Sequence, residues 1–431
     1  GINPPRMKKL FTDINKTLQD IQKAKTNGNS KQVAELYNYL GSLYFENQQP
    51  EDALRSHEEA IHVCEVIGDD LELCIGHRKI GELLSELKKF EDALVHDRLY
   101  LDLSRKLKNP VEEQRALVTI GRTLFLRFFS TNNAEDLESA ESMFLQSLKL
   151  TEQLENAVHH KEIQSMKARL FLNLGQTFWN QDKKELGKEY ICKSLKISQN
   201  ENLTDNLIRC HYSLSEFYLV DDCYDLSIDH AKKSYEFSKS RKDKQEIVES
   251  LILLSKIFLA KKDYNQSKIE LKKAYNLSRN VSSAKKEVGS DLIQVSKLCK
   301  LSRQLYECQD QGNKVCLEEN VADCLVSLKL YSQALDHYLS AVYLAEDMKY
   351  SSNALAKLYI SVAKTYEDMF SFEDAIKWYQ KEMKISSPSE VAQTLLNIIH
   401  IKQQQGSDYN EIRDLCQNAL CQAELGKDET V

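Results

Sequence analysis

A short residue pattern recurs along this chain and constrains its fold more than any other feature. A small residue is followed by a large one three positions later, then by an aromatic residue or proline, then by alanine or serine, as in Gly81, Leu84, Phe90 and Ala93. The small residues of the six copies with this spacing are Gly41, Gly81, Ser215, Ser255, Ala322 and Ala363. Most neighbouring copies lie about 40 residues apart. The pattern predicts a stack of helical hairpins, in which each unit packs on its neighbours.

The composition is consistent with long helices. No proline interrupts the chain between Pro110 and Pro388, so helices can run without forced breaks. No apolar run reaches the roughly 18 residues that would span a bilayer, so the sequence predicts no membrane partner. Eleven cysteines are scattered without paired spacing, which indicates reduced thiols and neither a disulfide framework nor a metal site.

The predicted organisation follows the repeats. Residues before Met7 look like a cloning remnant, so we expect natural numbering to begin at Met7 and the chain to be a fragment of a longer protein. The expected segments are a remnant at 1–6, a first helix and repeats one to six at 7–283, an inserted helix at 284–312, repeats seven and eight with a degenerate cap at 313–425, and a frayed tail at 426–431.

The small residues point to close helix contacts. Glycine in a helix interior costs about 1 kcal/mol relative to alanine, so a chain keeps it only where two backbones approach closely. We therefore expect the small residue of each first helix to form a notch. The alanine or serine of the second helix, such as Ala93, is expected to meet that notch.

The spacing resembles the tetratricopeptide repeat, lengthened from 34 to about 40 residues. This resemblance implies an all-α fold, a right-handed superhelical α-solenoid of about eight helical hairpins with capping helices. Stacks of this kind bind partners and are not typical of enzymes. The sequence also lacks a phosphate-binding loop and a nucleophile motif, so we predict no catalysis and no cofactor.

Several phrases are similar to the amino-terminal repeat region of the Tonsoku-like family, from about residue 8 to residue 425. They are HRKIGE and FEDAL in the second repeat, TIGRT in the third, RLFLNLG in the fourth and LKKAY in the sixth, at residues 77–82, 90–94, 119–123, 169–175 and 271–275. An insertion in repeat three and an extra helix after repeat six add to the resemblance.

The resemblance implies a nuclear scaffold of replication-coupled DNA repair, with the cytoplasm as a second compartment. Members of the family act in homologous recombination at damaged forks, with an MMS22-like repair partner and other replication-fork proteins. In the plant branch the repeat region binds the amino-terminal tail of replication-type histone H-three. The resemblance therefore implies a histone tail as a partner of this chain.

The first helix of each hairpin is expected to line a concave groove. Its inward positions carry carboxylates that suit lysine and arginine, amides that suit an extended backbone and aromatic rings that suit cations. The candidate groove residues are Asn38, Phe45, Glu46, Arg78, Glu82, Glu86, Arg122, Asn173, Gln176, Trp179, Tyr212, Glu216, Asn320 and Asp323.

Other interpretations stay open at the level of sequence. Trp179 can be a core residue, and Arg78 and Arg122 can be intramolecular partners of Glu82 and neighbouring carboxylates. The repeat length also suits a peptide-binding adaptor similar to LGN or kinesin light chain, without a chromatin role. A carboxylate clamp is disfavoured because Glu46 and Glu86 would repel a terminal carboxylate.

Charge is unevenly distributed along the chain. Residues 31–100 hold fifteen acids against seven bases, whereas residues 241–300 hold fourteen bases against seven acids. The basic segment raises the possibility of direct DNA binding, but the net charge of −7 disfavours it as the main role.

Overall fold

The computed structural model describes residues 4–278 and 282–428, and within these ranges the chain forms twenty helices and no strand. The first ten are α1 (Pro4–Thr26), α2 (Ser30–Glu46), α3 (Pro50–Ile67), α4 (Asp70–Glu86), α5 (Phe90–Lys106), α6 (Pro110–Thr131), α7 (Ala134–Gln153), α8 (His160–Asn180), α9 (Lys184–Asn200) and α10 (Thr204–Val220). The second ten are α11 (Tyr224–Arg241), α12 (Lys244–Ala260), α13 (Tyr264–Leu277), α14 (Ser282–Glu307), α15 (Gln311–Ser327), α16 (Tyr331–Asp347), α17 (Ser352–Asp368), α18 (Phe372–Met383), α19 (Pro388–Gln404) and α20 (Tyr409–Asp428).

Most of the helices form antiparallel hairpins between sequence neighbours. The pairs α2–α3, α4–α5, α6–α7, α8–α9, α10–α11, α15–α16, α17–α18 and α19–α20 pack closely. Helix α14 falls where the extra helix was expected and packs on α15. The predicted all-α hairpin fold is confirmed.

The first and last helices extend into the two terminal segments of the predicted organisation. Helix α1 begins at Pro4, inside the segment predicted to be a cloning remnant, while residues 1–3 lie outside the described residues. Helix α20 continues to Asp428, into the tail predicted to be frayed. A Cβ at Gly426 would lie 3.0 Å from the Cβ of Ser389, so this part of α20 is held by close packing on α19.

The contacts divide the chain into two compact units. Unit 1 contains residues 1–254 and 277–281, and unit 2 contains residues 255–276 and 282–431. Each unit has its own buried side chains, among them Tyr100 and Phe144 in unit 1 and Tyr379 in unit 2. In the described part of the chain, no helix is both long enough and apolar enough to cross a membrane.

The predicted notches are confirmed, but in several hairpins a different residue fills them. A Cβ on Gly81 would lie 2.0 Å from Oδ1 of Asp97, so the two helices meet there at close range. The side chain in the notch comes one turn after the alanine that was expected, because position i+4 lies on the same helix face. The pairs are Gly41 with His57, Gly81 with Asp97, Gly121 with Phe144 and Gly175 with Ile191. At Ser215 the prediction holds, since its hydroxyl donates to the backbone oxygen of Ser227 at 2.7 Å.

The turns within the hairpins share one backbone feature. One residue of the turn adopts a positive φ, which closes the helix in the left-handed conformation. In eight of the hairpin turns that the structure describes, this residue is not glycine: Gln48, Lys88, Asn132, Asp182, Asp222, Lys262, Lys329 and Phe370.

Candidate functional site: an acidic pocket and an arginine pocket

Five of the candidate groove residues of unit 1 line two pockets of opposite charge. The acidic pocket lies in the first two hairpins and has a volume of about 180 Å³. It is lined by Ser42, Phe45, His57, Lys79, Glu82, Leu83 and Glu86. A cavity smaller than the usual ligand pocket suits a single side chain better than a whole molecule.

Two carboxylates and one ring give the acidic pocket its chemistry. Glu82 and Glu86 lie four residues apart on α4 and therefore point to the same side of the helix. Burial, and next the charge of Glu82, raise the pKa of Glu86, so the two carboxylates repel each other. Phe45 of α2 is 43% exposed at the same pocket. A cationic side chain entering here would gain two carboxylates and a ring face.

His57 adds no charge to the acidic pocket at neutral pH. Burial lowers the pKa of His57 to about 4, with a smaller contribution from Lys79. Its Nδ1 donates to Oδ1 of Asn38 at 3.0 Å, and Nδ2 of Asn38 donates to Oε2 of Glu72 at 2.9 Å. Asn38 is buried and already bonded at both amide atoms, so its role is to order this corner of the fold.

Two further candidates near the acidic pocket are engaged within the chain. Glu46 forms an ion pair with Arg6 of α1. Arg78 has its carboxylate partner in Glu112, at 3.9 Å from Nη1, and Glu112 also accepts from the Tyr100 hydroxyl. The intramolecular interpretation of Arg78 is therefore confirmed, although its partner is Glu112 and not Glu82.

The arginine pocket lies in the third to fifth hairpins and has a volume of about 750 Å³. Its lining comes from α6, α8, the loop between α9 and α10, α10 itself, the last residue of α11 and the first turn of α12. The residues are Val118, Arg122, Ser165, Arg169, Asn173, Asn202, Leu203, Thr204, Asp205, Asn206, Arg209, Arg241 and Glu246. Four arginines face two carboxylates, so the pocket carries an excess of positive charge.

Two of the candidate groove residues meet in this pocket. Nη1 of Arg122 donates to Oδ1 of Asn173 at 2.9 Å. Arg122 therefore does have an intramolecular partner, but the partner is an amide and leaves the positive charge uncompensated. A basic peptide would be repelled here, so these two residues do not share a ligand with the acidic pocket.

Trp179 and Gln176 are used in packing between α8 and α10. The indole of Trp179 stacks on the ring of Phe217, with centroids 3.8 Å apart and an interplanar angle of 9°. Nε2 of Gln176 donates to Oγ of Ser213 at 3.0 Å. The core interpretation of Trp179 is the one that this geometry favours, because one ring face is covered by Phe217.

The last four candidates lie outside both pockets. In α10, burial raises the pKa of Tyr212, and the nearby exposed Glu216 adds to this effect. In unit 2, exposed Asp323 accepts from the hydroxyl of Tyr338 and exposed Asn320 donates to Sγ of Cys316 at 3.6 Å.

The candidate set omitted three of the four arginines that line the larger pocket, Arg169, Arg209 and Arg241. Arg169 and Arg209 each lie six residues before the small residue of their own repeat, Gly175 and Ser215. The shared register could have identified them as one surface. The candidates were chosen to suit a basic ligand, so Arg169 and Arg209 were not grouped with Arg122 as one basic surface.

Comparison with known proteins agrees with this architecture. Tetratricopeptide repeat models match residues 33–70, 168–201 and 248–281. The fold defines a helical-repeat protein of the kind that typically serves as a non-enzymatic scaffold and binds protein partners.

Curated relatives narrow this class to one family. The chain is 29% identical to mouse Tonsoku-like protein over 95% of its length, 30% identical to the Drosophila melanogaster protein over 94%, and 30% identical to the bovine protein over 96%. Over nearly its whole length the chain is similar to Tonsoku-like proteins, as its motifs predicted. The chain spans only 31%, 30% and 31% of these relatives, respectively. Among solved structures, the apo form of RapI aligns with a TM-score of 0.45 at 13% identity, over 84% of this chain and 98% of that one.

Proposed function

We propose that this chain is the non-catalytic recognition module of a Tonsoku-like repair scaffold and that its acidic pocket holds a basic histone amino-terminal tail. The observation that carries the proposal is the placement of Glu82, Glu86 and the exposed ring of Phe45 around one side-chain-sized cavity. A lysine or arginine of an extended tail can pair with these carboxylates beside Lys79, and histone H-three of the replication type is the tail that the family resemblance favours.

The energetics require more than one contact. An exposed ion pair contributes only about 0–1 kcal/mol. In the acidic pocket a bound cation also relieves the repulsion between Glu82 and Glu86, which is the effect that raises the pKa of Glu86 together with its burial. We therefore expect most of the binding free energy to come from this pocket, with the rest of the tail adding weaker contacts.

The proposal extends to the cellular role. We infer a nuclear protein that supports homologous recombination at damaged replication forks, together with an MMS22-like partner and other fork proteins. The alternative is a peptide-binding adaptor with cytoskeletal cargo. A pull-down from nuclear and cytoplasmic extracts, scored for core histones against cytoskeletal proteins, distinguishes the two roles.

The binding test uses synthetic tail peptides of the four core histones, labelled with fluorescein and followed by fluorescence polarisation. Glu82→Arg combined with Glu86→Arg should weaken tail binding by about tenfold or more, because two attractive charges become repulsive. The matched control is Glu59→Arg with Glu65→Arg, two exposed glutamates of α3 outside the pocket. Equal losses in both double variants, or no binding of any tail by the unaltered protein, would reject the proposal.

A further inference from the structure

Three consecutive hairpins each contribute one arginine to the same cavity. Arg122 comes from α6, Arg169 from α8 and Arg209 from α10. Arg122 and Arg209 are partly buried and Arg169 is exposed at the pocket. The proposed histone site lies in the first two hairpins and shares no residue with this cavity.

The carboxylates of the pocket do not neutralise these three arginines. Nη1 of Arg241 lies 2.8 Å from Oδ1 of Asp205 and 3.4 Å from Oε1 of Glu246, so both lining carboxylates are paired with this fourth arginine. Arg122 donates to the neutral amide of Asn173. Within residues 4–278 and 282–428, Arg169 and Arg209 form no ion pair with a carboxylate.

The positive charges of these arginines act on one another within the pocket. Burial lowers the pKa of Arg122 to about 10, and the charge of Arg209 adds to this effect. Burial also lowers the pKa of Arg209, and the charge of Arg169 adds to this effect, while Glu246 and Asp205 act in the opposite direction without cancelling it. An anion that contacts all three guanidinium groups would remove their repulsion and compensate for their partial desolvation.

The geometry points to one ligand chemistry. A guanidinium group binds phosphate or carboxylate oxygens through two parallel hydrogen bonds. A phosphate monoester carries nearly two negative charges and three acceptor oxygens, which matches three arginines better than a single carboxylate does. Ser165, Thr204 and Asn202 line the same wall and offer neutral donors for the remaining oxygens.

The size of the cavity favours a phosphate on a short segment over a nucleic-acid track. A volume of about 750 Å³ falls in the range of sites that enclose a small ligand or a few residues. Single-stranded nucleic acid is bound instead along a groove with aromatic rings that stack on the bases, and no aromatic residue lines this pocket among the described residues. We propose that the arginine pocket binds the phosphate group of a phosphorylated serine or threonine in a partner protein.

The test compares two fluorescein-labelled degenerate peptide libraries, one with a fixed central phosphoserine and one with serine at that position. Fluorescence polarisation should show binding of the phosphoserine library at least about tenfold tighter. Arg169→Gln combined with Arg209→Gln should abolish this preference. The matched control is Arg98→Gln with Arg303→Gln, two exposed arginines outside the pocket, and it should retain the preference.

Further measurements separate the other outcomes. Circular dichroism melting shows whether the pocket variant folds, and the single substitution Arg169→Gln at an exposed position gives a second, milder variant.

Equal binding of the two libraries would overturn the proposal. Inorganic phosphate that binds as tightly as the phosphoserine library would also overturn it, because the site would then be one for free phosphate. Oligothymidylate binding that is lost in the pocket variant, without any phosphopeptide preference, would identify a nucleic-acid site. Histone-tail binding should be unchanged in the arginine variants, so the two proposals fail independently.

Discussion

Asp97 of α5 is a fully buried carboxyl group without a charged partner in the described residues. It is 0% exposed, its Oδ2 accepts from Oγ1 of Thr123 at 2.7 Å, and its Oδ1 has no hydrogen-bond partner. Oδ1 fills the notch at Gly81. Burial raises the pKa of Asp97 to about 7, with a smaller contribution from Glu82. The neutral form is therefore the one that fits the fold best.

The sign of the pH effect follows from this raised pKa. Because the folded pKa of about 7 exceeds the unfolded value of 3.8, stability is lost as the pH rises through this window. Asp97→Asn keeps the shape and removes the charge. We expect it to stabilise the fold by about 1–3 kcal/mol at pH 8 and by less at pH 5, since one pKa unit corresponds to about 1.4 kcal/mol before screening is considered.

Urea unfolding followed by circular dichroism at both pH values measures this difference. Asp102→Asn, an exposed residue of the same helix, is the control and should change stability little at either pH. If Asp97→Asn raised the free energy of unfolding equally at pH 5 and at pH 8, the raised pKa of Asp97 would be contradicted.

Sequence reasoning identified positions at this scale but not their partners. The spacing located the notch at Gly81, yet it did not reveal that a carboxyl group would occupy it. The sequence left open whether Trp179 is a groove or a core residue, because the contact that covers its ring comes from Phe217, 38 residues later in the chain. Side-chain partnerships depend on contacts between helices, and single-helix periodicity does not contain them.

At the scale of the helix pair, α8 and α9 approach each other closely at two glycines. A Cβ on Gly175 would lie 2.9 Å from the backbone oxygen of Gly187, and a Cβ on Gly187 would lie 2.9 Å from the backbone oxygen of Gly175. Backbone atoms cannot move aside as a flexible side chain can. The hairpin therefore depends on both glycines.

Gly175→Ala should destabilise the protein by about 1–3 kcal/mol, because the added methyl group forces the two helices apart. Gly312→Ala in α15 is the control. There the nearest atom to the new Cβ is Oδ2 of Asp310 at 3.8 Å, an ordinary contact, so stability should be unchanged or should rise by up to about 1 kcal/mol. The urea unfolding midpoints of both variants measure these changes in stability. Equal changes in the two variants would show that the contact between α8 and α9 has room for a methyl group.

The hairpin register was the most predictable part of the fold. Glycine, serine and alanine at a fixed spacing have few explanations other than close helix contact, and the lack of proline removed the main obstacle to long helices. The helix ends were less predictable. Helix α20 extends to Asp428 because it packs on α19, and that contact depends on tertiary structure.

At the scale of the whole molecule, the two tryptophans report on different units. Trp179 belongs to unit 1 and Trp378 to unit 2. Repeat proteins are stabilised mainly by contacts between neighbouring helices, so a local defect need not lower the stability of distant repeats equally. The chain thus contains one fluorescent reporter for each unit.

Two single-tryptophan proteins, made by Trp378→Phe and by Trp179→Phe, can each be prepared with and without Gly175→Ala. We expect Gly175→Ala to shift the urea midpoint more when Trp179 is the reporter than when Trp378 is. Each single-tryptophan protein is compared with and without Gly175→Ala, so the effect of removing the other tryptophan cancels. Identical shifts from both reporters would mean that the chain unfolds as one cooperative unit.

Only part of the proposed function of the chain could be predicted from the sequence. The family resemblance and the acidic character of the first hairpins both came from the residues themselves. The arginine pocket did not, because Arg122, Arg169 and Arg209 come from three hairpins and meet only after these pack together. Electrostatic character of this kind belongs to the assembled surface and not to any single repeat.

The unlike side chains that fill the notches have a consequence for assembly. Similar repeats in one chain risk exchanging helices during synthesis, which leads to misfolded or swapped products. Here an imidazole, a carboxyl group, a phenyl ring and an aliphatic chain each fit their own glycine. A helix from the wrong repeat would present a group of the wrong shape or polarity, so each hairpin carries a built-in check on its own pairing.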